Sequence, residues 1–183
     1  MTKTHRSIRA LTEGAILIAA AEILSFLPLY KFPWGGSIDL AMLPILLFCI
    51  RWGFAPGMIA ASAHAVMQMF FEGGIAIGWE SIIGDFLVAY MVLGFAGLFK
   101  GKFCIGTIVA CSLRFLVHYV VGATIWAAYM PENFFGMTMT TPWIYSALYN
   151  GAYMLPDTVM ILVLYFLLQK TPLAVYFKGK DLQ

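Results

Sequence analysis

Long apolar runs constrain the fold of this chain more than any other feature of its sequence. A helix needs about 20 residues to cross the hydrocarbon core of a bilayer, and Gly, Pro and charged clusters divide the sequence into six candidate runs. The predicted spans cover residues 8–29, 37–51, 55–71, 81–99, 103–129 and 142–169. The second and third runs are short, which is typical of tilted or partly buried helices. We therefore predict an all-α integral membrane protein with six transmembrane helices in a single domain, residues 1–183.

Composition excludes a soluble protein. Hydrophobic residues make up 62% of the chain and charged residues only 11%, which leaves too little polar surface to face water. The first apolar run is too long for a signal peptide and lacks an obvious cleavage site, so we expect it to remain as the first helix. Cys49, Cys104 and Cys111 lack the paired spacing of a metal site. We interpret them as small apolar residues and predict no metal site.

The distribution of basic residues predicts the orientation in the membrane. With six crossings, only Lys31 lies on one side, and the other side carries Lys3, Arg6, Arg9, Arg51, Lys100, Lys102, Lys170, Lys178 and Lys180. Basic loops face the cytoplasm in most membrane proteins, so both termini are predicted to be cytoplasmic. The external side carries tryptophans and four carboxylates, at Asp39, Glu72, Glu80 and Glu132. Such a surface suits a cation, although tryptophan belts occur at membrane interfaces generally.

An unusual stripe of side chains runs along the fifth predicted helix. Arg114, His118, Gly122 and Trp126 are four residues apart and share one helix face, while the rest of that helix is apolar. A single His or Trp in a membrane helix is more often a packing or interfacial residue than a ligand. Ionisable groups are costly in hydrocarbon, however, so four such residues in register favour a cavity that holds a flat polar molecule.

Further charged residues fall inside the predicted spans, namely Glu22, Asp85 and Asp157. Each must be paired, reach the interface or face a cavity. For Asp85, near the external end of the fourth helix, reaching the interface is an equally good interpretation. At a rise of about 1.5 Å per residue, Asp157 and Arg114 both lie near the middle of the bilayer, so we predict that they form an ion pair. The alternative is that Arg114 extends to the cytoplasmic lipid headgroups and Asp157 stays protonated.

The last predicted helix carries a polar face of its own. Asn150, Tyr153 and Asp157 follow the three-then-four spacing of one helix side. A buried amide needs partners for both its donor and its acceptor. A nitrogen-rich heteroaromatic ligand would supply them, and neighbouring helices are the alternative.

Motifs of catalysis are missing from the sequence, which has no serine nucleophile elbow, no His-Glu-x-x-His and no paired carboxylates within one helix turn. It also lacks a glycine-rich phosphate loop, so any ATP hydrolysis would occur on another subunit. Small residues at Ala15 and Ala19 would let another helix approach the first helix closely, although alanine is common in membrane helices.

Four sequence elements occur in a recognisable order. They are Trp-Gly-Gly-Ser-Ile-Asp-Leu-Ala-Met-Leu-Pro-Ile from Trp34, Asp-Phe-Leu-Val-Ala from Asp85 with Leu-Gly-Phe-Ala-Gly-Leu-Phe from Leu93, His118-x3-Gly122-x3-Trp126, and Tyr145-x4-Asn150-Gly151. Together they resemble the thiamine-specific substrate-binding subunit, or S component, of energy-coupling factor (ECF) transporters. The resemblance covers essentially the whole chain.

The resemblance implies a six-helix S-component fold in a bacterial plasma membrane, with a pocket open to the outside. It implies capture of thiamine and delivery to the cytoplasm with a membrane coupling protein (T component) and two ATP-binding cassette ATPases, which alone use ATP. No cofactor, metal, nucleic acid or enzymatic activity is expected. The family's ligand-binding positions carry over to Trp34, Asp85, His118, Gly122, Trp126, Tyr145 and Asn150. Its partner-docking positions carry over to Ala15 and Ala19.

Two departures from the family pattern concern the binding site. Better-known members carry Glu then Tyr where this chain has Asp85 then Phe86, so the carboxylate is one methylene shorter and a hydroxyl is missing. A tyrosine in an external loop of those members has no evident equivalent near Ile75. Asp85 and the rings of Trp34 and Trp126 keep the anionic and aromatic character that a cationic thiazolium needs.

Three alternative functions fit the same residues. An intramembrane enzyme would use His118 with Asp85 or Asp157 as acid and base. An S component for another small heteroaromatic vitamin would need a similar pocket. A small channel or assembly subunit would use the polar stripe only to hold helices together.

Overall fold

The computed structural model describes residues 3–71 and 77–182. They form helices and two small hairpins, which loops connect. The helices are α1 (Lys3–Ser25), α2 (Met42–Trp52), α3 (Phe54–Phe71), α4 (Trp79–Phe99), α5 (Phe103–Thr124), α6 (Pro142–Leu168) and the short α7 (Ala174–Phe177). The antiparallel hairpins are β1 (Tyr30–Lys31) with β2 (Ser37–Ile38), and β3 (Asn133–Phe134) with β4 (Met137–Thr138). Single 3-10 turns cover Ala127–Tyr129 and Lys180–Leu182.

The prediction of a helical membrane protein is confirmed, and each predicted span contains a helix. Within the described residues, α3, α4, α5 and α6 are long and apolar enough to cross a membrane. α2 has only 11 residues, but nine of them are buried. It therefore runs through the middle of the bundle, where its sides contact protein rather than lipid. The total of six crossings stays a prediction.

α4 is an irregular helix. Residues Ile82–Val88 form π-helical turns, in which Ala89 N–H bonds to Gly84 O five residues earlier, and Val92–Phe99 form 3-10 turns. In the 3-10 half, a Cβ added to Gly97 would lie 2.6 Å from the Gly53 carbonyl group. This close approach packs α4 against the junction of α2 and α3. π-helical turns are rare and frequently occur at functional sites, so the residues that they carry are candidates for function.

Arg51, near the end of α2, connects both ends of the chain. Its guanidinium forms ion pairs with Glu13 of α1 and, at 2.9 Å, with Asp181, and it donates a hydrogen bond to Tyr176 O. Asp181 also pairs with Arg9 of α1. Because Arg51 is only 2% exposed, these partners are needed to offset the cost of burying its positive charge. We call this end of the bundle, where Arg9, Arg51 and Asp181 meet, the terminal end.

Arg51 also changes the proton affinity of its partner. Burial alone would raise the pKa of Asp181, but the hydrogen bonds from Arg51 hold that pKa below its usual value. A lowered folded-state pKa means that the contact stabilises the fold above the unfolded-state pKa of about 3.9. That stabilisation is lost as the pH falls through the folded-state value.

Replacing Arg51 by Met should lower the free energy of unfolding by about 3 kcal/mol, because Glu13 and Asp181 would lose the cation that offsets their partial burial. The matched control is Lys178→Met, which removes an exposed cation and should change stability by less than about 0.5 kcal/mol. Unfolding of the protein in detergent micelles measures both. Equal stability of the two variants would show that the ion pairs do not hold the C-terminal segment.

Candidate ligand-binding site

The carboxylate of Asp85 is the centre of a hydrogen-bonded cluster. Its Oδ1 lies 2.9 Å from His118 Nδ1, and its Oδ2 accepts a hydrogen bond of 2.8 Å from Trp126 Nε1. An indole N–H is only a donor, and an ionised carboxylate accepts at both oxygens. Asp85 therefore points at the stripe of α5 and its C-terminal turn rather than at the membrane interface.

His118 has one ring nitrogen in use and one to spare. The residue is 8% exposed, and its Nε2 has no hydrogen-bond partner among the atoms that the structure describes. A buried ring nitrogen without a partner is uncommon, because the lost hydrogen bonds to water are not replaced. In a protein with a bound polar molecule, this atom is a natural point of contact.

Irregular backbone places both Asp85 and Trp126. Asp85 lies in the π-helical turns of α4. α5 ends at Thr124, and the N–H of Trp126 bonds to Val121 O at 3.2 Å, five residues earlier. The predicted stripe therefore follows regular helix spacing only as far as Gly122. The turn that ends the helix then brings the indole of Trp126 to the carboxylate.

Asn150 of α6 is held at both ends of its amide group. Its Nδ2 donates to Ser146 O at 3.0 Å and to His118 O at 3.3 Å, and its Oδ1 accepts from the Tyr153 hydroxyl at 2.7 Å. Backbone carbonyls only accept hydrogen bonds, so these contacts determine which end of the amide is nitrogen. α5 and α6 therefore supply partners for both ends of the Asn150 amide, as the interpretation with neighbouring helices predicts.

Gly122 lets α5 and α6 approach closely at this point. A Cβ added to Gly122 would lie 3.2 Å from Ser146 Cβ and closer still to the Ser146 hydroxyl oxygen. That hydroxyl donates to Tyr119 O at 2.8 Å and accepts from Asn150 Nδ2 at 3.2 Å. Ser146 is a site residue that the sequence analysis missed, and its position one helix turn before Asn150 is the signal that indicates it.

Trp34 and Tyr145 belong to a cluster of rings at the start of α6. The centroid of the Trp34 ring lies 5.3 Å from that of Phe134 and 5.4 Å from that of Phe135. The ring centroids of Phe134 and Tyr145 are 5.1 Å apart. The Tyr149 hydroxyl donates to Trp34 O at 3.1 Å. We call these five residues the aromatic cap. The sequence analysis missed Tyr149, although its spacing of four from Tyr145 places both rings on one helix face.

The predicted ion pair between Arg114 and Asp157 is wrong. Arg114 Cζ lies 4.1 Å from the centroid of the Tyr90 ring, and no carboxylate pairs with Arg114 in the part of the chain that the structure describes. Asp157 Oδ1 instead accepts a hydrogen bond of 3.0 Å from Asp39 N–H. A ring face stabilises a desolvated cation. Equal depth in the bilayer puts two charges at one level but does not decide where their side chains point around each helix.

The assembled site combines one carboxylate, one imidazole and several ring faces. Asp85, His118 and Trp126 form its polar centre, Asn150 adjoins it through His118 O, and the aromatic cap lies over α6. Within the described ranges there is no group of three His, Cys, Asp or Glu residues that could hold a metal ion. Glu72 and the position near Ile75 lie outside those ranges. The arrangement suits a flat organic cation with hydrogen-bonding edges.

Comparisons with known proteins agree on one family. The family model described as "Thiamine transporter protein (Thia_YuaJ)" matches residues 11–176. The Bacillus subtilis (strain 168) protein named "Thiamine transporter ThiT" is 28% identical over 189 residues, covering 93% of this chain and 95% of the relative. A Lacticaseibacillus paracasei protein of the same name is 23% identical over 181 residues, covering 87% and 86%.

A solved structure shares the fold. The structure of ThiT from Listeria monocytogenes superposes with a TM-score of 0.78 at 23% identity, and the match covers 93% of this chain and 98% of that chain. Such a match over nearly the full length of both chains supports the helix arrangement described above.

Gly122→Ala should lower the free energy of unfolding by about 1–3 kcal/mol, because the new methyl group overpacks the contact between α5 and α6. The matched control is Gly151→Ala in α6, where an added Cβ meets no atom within 4 Å. That change should stabilise the helix by up to about 1 kcal/mol, since Ala is the better helix former. Unfolding in detergent measures both variants. Similar stabilities would mean that the helices can separate at Gly122 without cost.

Proposed function

Since the chain belongs to the thiamine transporter protein family, we propose that it is the S component of an ECF transporter that binds thiamine from outside the cell. The protein is a multi-pass bacterial membrane protein and a transporter rather than an enzyme. In this proposal it captures the vitamin in the site around Asp85. A T component and two ATPases then drive its delivery to the cytoplasm.

The observation that carries the proposal is the double support of the Asp85 carboxylate. Two donors, His118 Nδ1 and Trp126 Nε1, hold its two oxygens at 2.9 Å and 2.8 Å. Each oxygen keeps a further lone pair for a ligand. Because the carboxylate is already fixed in place, little side-chain entropy is lost when a ligand binds. Hydrogen bonds and ion pairs to such a group are stronger than those between neutral groups.

Thiamine has the two chemical features that this site accommodates. Its thiazolium ring is a permanent cation, and a desolvated cation over an indole gains about 2 kcal/mol. Trp126 lies beside the carboxylate, so the ring face and the negative charge can act on the same cation. The aminopyrimidine ring has donors and acceptors on its edge, and His118 Nε2 is a buried atom with hydrogen-bonding capacity to spare.

The shorter carboxylate of Asp85 is compatible with this role. The indole and imidazole both reach it at ordinary hydrogen-bond distances, so the shorter side chain still meets two donors. Phe86 contributes no hydroxyl. We propose that ligand specificity here depends more on the free hydrogen-bonding capacity of His118 Nε2 than on a hydroxyl at position 86.

The outer face of α1 is the proposed contact with the T component. Ala15 and Ala19 are both exposed, and they alternate with exposed apolar residues, Leu11, Ile16 and Ile23. Small residues four apart let a partner helix approach closely within a bilayer. The proposed orientation, with six crossings and cytoplasmic termini, brings the terminal end of the bundle to the side where the ATPases would lie.

Asp85→Asn should weaken thiamine binding by at least about tenfold, because it removes the charge that the cation meets, a loss of about 1.5 kcal/mol or more. Asp85→Glu should bind within about threefold of the wild type, since it keeps the charge and restores the side-chain length of other family members. Quenching of tryptophan fluorescence during thiamine titration measures both. The matched control is Glu80→Gln, which neutralises an exposed carboxylate and should leave affinity unchanged. Wild-type affinity in the Asn variant would remove Asp85 from the site.

Replacing Ala15 and Ala19 together by Leu should abolish thiamine uptake by cells but leave thiamine binding by the purified subunit intact. Larger side chains would block close helix approach on the exposed face of α1 without reaching the site at Asp85. The control is Ala55→Leu, the same type of substitution at one exposed position of α3. Normal uptake by the double variant would place the coupling surface elsewhere.

A further inference from the structure

A second cluster of polar side chains lies inside the bundle, away from the ligand site. Glu22 of α1 accepts from Gln68 Nε2 at 3.0 Å through one oxygen, and its other oxygen lies 2.6 Å from His64 Nδ1. Glu22 is 5% exposed, and His64 and Gln68 are 0% exposed. Polar groups inside a membrane bundle are costly and usually serve a function. This cluster joins α1 to α3.

Tyr90 of α4 extends the cluster toward the ligand site. The His64 ring meets the Tyr90 ring edge to face, with centroids 5.0 Å apart, and Arg114 Cζ lies 4.1 Å from the Tyr90 centroid. Arg114 stands one helix turn before His118 on α5. The contacts thus run without a break from Glu22 on α1 through three further helices. A negative charge lies at one end and a positive charge at the other.

The π-helical turns of α4 lie between these contacts and the ligand site. Asp85 lies in the π-helical turns Ile82–Val88, and Tyr90 lies five residues after Asp85, one π turn away. A π turn contains one residue more than an α turn. Tightening it to an α turn rotates and shifts the residues on one side relative to those on the other. A ligand that pulls on Asp85 would therefore change the position of Tyr90.

The buried cluster has spare hydrogen-bonding capacity with which to respond. In the described part of the chain, His64 Nε2 and Gln68 Oε1 are buried without partners. Buried groups of this kind call for an explanation such as stored strain or a second state. A shift of the Tyr90 ring against His64 would let these atoms gain partners, and Glu22 would follow on α1.

We propose that these contacts transmit occupancy of the Asp85 site to the exposed face of α1, with Tyr90 as the positioning residue between them. Ala19 lies on that face, three residues before Glu22. This inference rests on the proposed function, in which thiamine is the ligand and α1 contacts the T component. Coupling of this kind is reciprocal, so a change at α1 is felt at the site as well.

The test places an environment-sensitive fluorophore on α1 at Ala19→Cys and follows its signal as thiamine is added to the purified full chain. The otherwise unsubstituted protein, treated with the same reagent, gives the background from the three native cysteines. Thiamine should change the signal of the labelled protein. Tyr90→Leu should abolish most of that change while thiamine still saturates the site, because it removes the ring that contacts both His64 and Arg114.

Tyr165→Leu is the matched control. Tyr165 is 8% exposed and Tyr90 is 7% exposed, so the two rings are buried to the same extent. Tyr165, however, stacks on Phe103, with ring centroids 4.8 Å apart, and is not among the residues that link Glu22 to Arg114. The control should keep the full signal change. His64→Gln gives the same test without a large loss of packing, since it keeps a polar side chain but removes the ring that meets Tyr90. It too should lose the signal change.

The outcomes separate the two proposals. If wild-type protein binds no thiamine, the proposed function fails and this inference fails with it. If it binds thiamine but the label on α1 does not respond, the function stands and the inference is overturned. An equal response in the Tyr90, His64 and Tyr165 variants would also overturn it, since breaking the contacts would then have no effect.

Discussion

A carboxylate inside a membrane-spanning helix needs donors close by, and the site depends on how Asp85 meets this need. His118 and Trp126 supply the donors from α5 and from the turn after it. Several irregular features of the fold serve this contact. The π-helical turns of α4 carry Asp85, and the early end of α5 turns the indole of Trp126 toward it. If α5 continued as a regular helix beyond Thr124, the Trp126 indole would not be turned toward the carboxylate in this way.

Charged groups inside the bundle are compensated by different means, as Arg51, Arg114 and Asp85 show. At the terminal end, Arg51 is satisfied by the carboxylates of Glu13 and Asp181. In the interior, Arg114 lies over the Tyr90 ring. At the site, Asp85 is held by neutral or protonatable donors, so it keeps more of its charge for a ligand than a carboxylate paired with arginine would. This difference separates the structural ion pairs from the proposed binding group.

Much of the architecture could be predicted from the sequence, because apolar runs and their breaks report where helices lie. The spacing of His118 and Gly122 correctly placed them on one face of α5. The position of Trp126 needed the backbone turn after Thr124, which no periodicity reveals. His64 and Gln68 were not predicted as functional residues, because they lie in the short third span among mostly apolar residues. Their importance comes from Glu22, which is 42 residues from His64 along the chain.

The direct test of the account is a titration of the purified wild-type protein with thiamine, followed by tryptophan fluorescence and by chemical analysis of the recovered ligand. Trp126 bonds to Asp85 and Trp34 lies in the aromatic cap, so tryptophan fluorescence should report a ligand that binds at the site. The account predicts saturable quenching at one thiamine per chain and recovery of unchanged thiamine. Absence of saturable binding, or conversion of thiamine to a product, would contradict it.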